Sequence, residues 1–159
     1  MFEMGKSLVF FIKASLLGLA FLTALPKEQY RKFIIYSIFL GGLIDIIVAL
    51  GFSQLNIIKY SHLGPFGIYG LITIWTPLAW MFAFAIFLYH LPVRKVFFYP
   101  YVIVWAIFGV FVGEVLEGFG VYRANSLVMF FAFLAWFYTA AFAYMYFEKI
   151  SLRSKITKT

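Results

Sequence analysis

The chain is constrained most by a series of long apolar runs such as FIIYSIFLGGLIDIIVALGF, residues 33–52, whose few polar residues never alternate or recur often enough to make a solvent-facing side. About 20 such residues, wound as a helix, cross a hydrocarbon core of about 30 Å. A membrane β-strand would instead show about 10 residues of alternating polarity. The runs predict an all-α, polytopic membrane helix bundle with five transmembrane helices at about 7–25, 33–52, 66–89, 96–118 and 127–147. Charged residues make up only 12% of the chain, against about 25% in a soluble domain, so a water-soluble fold is excluded. The 159 residues form one transmembrane domain, ending in a basic tail at 148–159. There are no cysteines, which excludes disulfides, thiolate metal ligands and thiol nucleophiles.

Lysine and arginine orient the bundle, because positive residues in short loops stay on the cytoplasmic side. With the amino terminus outside and the carboxyl terminus in the cytoplasm, nine cations lie inside: Lys27, Arg31, Lys32, Arg94, Lys95, Lys149, Arg153, Lys155 and Lys158. Lys6, Lys13, Lys59 and Arg123 fall in the outer half, balanced by Glu3, Asp45, Glu114 and Glu117. The inner face therefore carries the whole net charge of +7. Such a face reads as a topology signal that meets anionic headgroups, with membrane lipids as partners and no nucleic acid. The first span carries Lys13 and is the one whose full crossing is least fixed by sequence; the basic PKEQYRK that follows it argues against cleavage as a signal peptide.

Small residues recur at four-residue spacing, which lets helix backbones approach closely where lipid supplies no hydrophobic drive. Ser37, Gly41, Asp45 and Ala49 form one stripe, and Gly109, Gly113 and Glu117 another. Gly41, Ala49, Gly109 and Gly113 are the expected packing positions, and the acids on the stripes are expected to face other helices. Pro77, inside ITIWTPLAW, removes a backbone donor and is expected to kink the third span as a hinge.

Depth along the helices brings distant polar residues to similar heights. Lys13 and Asp45 both fall about 10 Å below the outer surface and are natural ion-pair partners. Glu114 and Glu117 lie one turn apart near the outer end of the fourth span. With His62, Arg123 and other outer-loop residues (Asn56, Lys59, Tyr60), they suggest an outward-facing polar pocket, since ionisable groups inside a membrane are costly unless they serve a purpose. The competing structural reading is that Lys13 with Asp45, and Arg123 with one glutamate, are pairs that fix helix register. No metal is expected, nor a haem, thiolate-metal or nucleotide cofactor; a bound lipid is compatible with the pattern.

The aspartate in GGLIDIIVALG, a tyrosine-bearing outer loop, a proline-containing third span, the basic HLPVRK and the glutamate in GEVLEGFG resemble a family of small multi-spanning membrane proteins of spore-forming Firmicutes. The resemblance would cover most of residues 30–147 and implies a bacterial cytoplasmic membrane, without a substrate or reaction. Three functions remain open at this point. The first is a component that binds a lipid-like ligand or joins a complex, as a partner's subunit or a homo-oligomer, through the acidic pocket. The others are an enzyme using Asp45, Glu114 or Glu117 as acid or base on a lipid headgroup, and a small proton-coupled transporter or channel.

Overall fold

The computed structural model describes residues 2–92 and 94–156. Helix α1 (Phe2–Ala24) turns at Pro26 into a long rod made of α2 (Lys27–Ser37), a π-helical segment (Ile38–Leu43) and α3 (Ile44–Gln54). Strand β1 (Ile58–Tyr60), a 3-10 turn (Gly64–Phe66) and the hairpin of β2 (Gly67–Ile68) and β3 (Ile72–Thr73) lead to α4 (Trp75–Tyr89). Helix α5 (Lys95–Gly118), β4 (Tyr122–Ala124) and α6 (Ser126–Ile156) complete the chain. Among the described residues, four helical rods are long and apolar enough to cross a membrane: Lys6–Ala24, Lys27–Gln54, Val96–Gly118 and Ser126–Lys149. This is the make-up of a membrane protein built as a helical bundle.

The fifth rod differs from the expected span at 66–89. Helix α4 is only 15 residues long, about 22 Å at 1.5 Å per residue. The glycine-rich segment before it forms the β2–β3 hairpin instead, turning through Tyr69 and Gly70, both at positive φ, where glycine is at ease and tyrosine is strained. Pro77 is consequently the third residue of α4, not a mid-helix residue. The first turn has no intrahelical acceptors for its N–H groups, so a proline there removes nothing and the expected hinge is absent. A proline does lie inside α5, at Pro100. The expected tail at 148–159 also begins as helix, because α6 continues to Ile156; Lys158 lies outside the described residues.

Helix α4 is the hub. It packs most closely against α1 and the α2–π rod, and faces α5 and α6 through aromatic rings. Trp80, Phe84 and Phe87 meet Phe133, Trp136 and Phe137, with Phe84 and Phe137 stacked at 4.6 Å. The π segment explains how the small-residue stripe stays on one face. Four residues overshoot a 3.6-residue turn by about 40°, so Ser37 and Ala49 would drift about 120° apart on a regular helix. The wider turns take up that drift, and Ser37, Gly41, Asp45 and Ala49 are all buried.

Helices α3 and α5 end alike. Asn56 and Gly120, both in the left-handed region, close Schellman motifs: Asn56 N–H donates to Ser53 O and Ile57 N–H to Phe52 O, as Gly120 does to Glu117 and Val121 to Leu116. Each motif delivers a three-residue strand, and β1 and β4 pair antiparallel about Lys59 and Arg123. This sheet closes one end of the bundle, called here the sheet end. At the opposite end Lys32 and Glu148 form an ion pair at 2.8 Å, and Tyr36 donates to the same carboxylate.

Candidate functional site

The α2–π–α3 rod and α6 are joined by that ion pair and, halfway along, by the Trp136 indole N–H, which donates to Leu40 O at 2.7 Å. Beyond Trp136 they separate, and a cleft of about 330 Å³ occupies the space between them. Ile44, Val48 and Phe52 wall it on one side, Met129, Ala132 and Phe133 on the other, with Trp80 and Trp136 among its inner surfaces. Ala135 and Thr139 line it and are themselves exposed, so the cleft opens sideways between α3 and α6. Its volume falls in the range of small-molecule sites, about 300–1,000 Å³.

Most of the lining is apolar, and its ionisable groups come from four separate elements: Lys13 of α1, Asp45 of α3, Tyr60 of β1 and Tyr122 of β4. Counting helix rise from Lys6 and from Gln54 puts Lys13 and Asp45 about 10–14 Å below the sheet end. Asp45 is only 4% exposed, and its Oδ2 has no hydrogen-bond partner. Lys13 lies within Coulombic reach of it, yet the two do not close into an ion pair; Lys32 with Glu148 is the only salt bridge among the described residues. The Lys13 ammonium instead sits 5.9 Å from the Phe10 ring.

Strand alternation explains which loop residues reach the cleft. Successive strand side chains point to opposite faces, so Tyr60 and Tyr122 turn inward together, their rings 5.1 Å apart, while Lys59 and Arg123 turn out. Burial pushes both phenols well above their ordinary range, and the nearby Asp45 adds in the same direction, so both remain neutral hydroxyls able to donate.

The remaining expected site residues lie elsewhere. Glu114 and Glu117 are exposed in the last turns of α5, where Ser126 Oγ donates to Glu114; neither lines the cleft. Both glutamates instead line, with Gly109, Gly113 and Tyr122, a small recess that adjoins the cleft. Arg123 joins Lys59 and Asn56 around a separate surface cleft of about 510 Å³. His62 holds a left-handed turn (φ 55°) and lines neither cleft. No group of three or more His, Cys, Asp or Glu suited to a metal ion occurs among the described residues. Tyr122 is a polar lining residue that sequence reasoning did not single out.

The fold and the site thus define a helical-bundle membrane protein with a charged, side-opening cleft. No protein-family model matches the chain, and no curated protein or solved structure matches it either.

Proposed function

We propose that the chain is a membrane-embedded binding protein for a lipid-like ligand, with the sheet end outside the cytoplasm. The observation that carries this reading is the cleft: apolar walls open sideways between two membrane-length helices, and two opposite charges and two neutral phenols sit within. An amphipathic molecule fits both halves of that arrangement, its tail in the sideways opening and its head among Lys13, Asp45, Tyr60 and Tyr122. An enzyme using Asp45, Glu114 or Glu117 as acid or base is less well supported, because Glu114 and Glu117 line an adjoining small recess and not the cleft that holds Asp45. The proposed orientation is supported by Lys27, Arg31, Lys32, Arg94 and Lys149, all at the end opposite the sheet. The resemblance to small Firmicutes membrane proteins would put it in a bacterial cytoplasmic membrane.

Ala135→Trp tests the proposal. Position 135 is exposed at the mouth of the cleft, so an indole there blocks the opening without entering the core. Native mass spectrometry of protein extracted in mild detergent is expected to find about one lipid retained per wild-type chain and at least a tenfold smaller retained fraction in the variant. Equal retention by the two, or none by the wild type, contradicts the proposal.

A further inference from the structure

The charges in the cleft specify more than an amphipathic ligand. Lys13 and Asp45 reach it from different helices, carry opposite formal charges and do not pair with each other. Asp45 is buried with one carboxylate oxygen unpartnered, although a buried charge normally finds a partner. The described hydrogen bonds include none from the hydroxyls of Tyr60 and Tyr122, which stand over the same space.

We infer that the ligand's head is zwitterionic, combining a phosphate with a primary ammonium as in phosphatidylethanolamine, a refinement that rests on the cleft being a lipid site. The phosphate takes the Lys13 ammonium and the tyrosine hydroxyls, all of them donors. The ligand ammonium donates to Asp45. Other common heads leave a mismatch. A phosphatidylglycerol head supplies the anion but puts hydroxyls against Asp45. Phosphatidylcholine has the right charges, but its quaternary nitrogen has no N–H to donate. Diacylglycerol leaves both protein charges unmatched. The charge-assisted bond from ammonium to carboxylate is therefore the distinguishing contact, of a strength that corresponds to about tenfold or more in affinity.

The test is native mass spectrometry of the wild-type protein in detergent with equimolar phosphatidylethanolamine, phosphatidylcholine, phosphatidylglycerol and diacylglycerol of matched acyl chains. Phosphatidylethanolamine is expected to be retained at least about tenfold over each of the others. Asp45→Asn, which keeps the shape and removes the charge, is expected to bring phosphatidylethanolamine down to the level of phosphatidylglycerol. Lys13→Met is expected to weaken the three phospholipids alike, and it supplies the test if D45N does not fold. Glycerophosphoethanolamine, the same head without tails, is expected to compete at least a hundredfold less well; equal potency would assign the head chemistry to a free solute and overturn the lipid source.

Equal retention of the four lipids by the wild type, or a phosphatidylethanolamine preference that survives D45N, overturns the headgroup assignment while lipid binding stands. Failure of every lipid to bind overturns the binding function with it.

Discussion

Replacing Lys13 by Met and Asp45 by Leu together is expected to make the protein more stable and at the same time to abolish ligand retention. A closed, register-fixing ion pair would gain less or nothing from the exchange and would leave ligand retention unchanged, because its Coulombic attraction already recovers part of the desolvation cost. Here the two charges are held in the bundle without closing into a pair, so each bears a desolvation cost that its partner offsets only in part. Exchanging buried charges for apolar groups of similar volume often stabilises by about 1–4 kcal/mol, and an unclosed pair belongs at the favourable end. Thermal or SDS-induced unfolding of the delipidated protein measures it. Binding sites commonly carry such a cost, since the polar groups a ligand needs are unsatisfied in its absence.

The second large effect is expected at Gly41. A methyl group there would lie 2.9 Å from Trp80 O and 2.9 Å from Phe84 Cβ, contacts that only separation of the π segment from α4 can relieve. Gly41→Ala is expected to cost about 1–3 kcal/mol. Gly42 is the internal control, since its added methyl would meet nothing nearer than Pro77 O at 3.6 Å, an ordinary contact. Gly42→Ala is expected to leave the unfolding midpoint within a degree or two, roughly, of wild type. Equal losses at the two positions would mean that α4 and the rod are not in the close register described.

Much of this architecture was legible in the sequence because helix rise turns residue number into depth. Counting inward from the ends of the first two spans brought Lys13 and Asp45 to one level, and the structure places both on one cleft. The stripe through Gly41 and Ala49 was legible for a similar reason, although the π turns that keep it aligned leave no compositional mark. Strands β1 and β4 were not legible. Three residues such as IKY or YRA are too few to display alternation, so Tyr60 was grouped with Lys59 and Arg123 when the pleat in fact sends them to opposite faces. The third span was drawn too long because FGIYGLITI is as apolar as a membrane helix. Its two glycines and β-branched residues, which favour a hairpin, were the overlooked signal. Glu114 and Glu117 share the right end of the bundle with Asp45, but depth alone says nothing about azimuth, and they line a small recess beside the cleft and not the cleft itself.

The proposed entry of lipid into the cleft between α3 and α6 is probed by placing a photo-crosslinking side chain at Thr139, on the mouth of the cleft, and another at Ile47, which is 70% exposed and absent from the cleft lining. In nanodiscs doped with a few per cent of tagged phosphatidylethanolamine, Thr139 is expected to label strongly, and the label to fall at least about fivefold when Asp45 is changed to Asn, in keeping with the loss of a charge-assisted bond. Labelling at Ile47 is expected to be weak and indifferent to Asp45, as for bulk lipid. Equal labelling at the two positions, unaffected by Asp45, would contradict the claim.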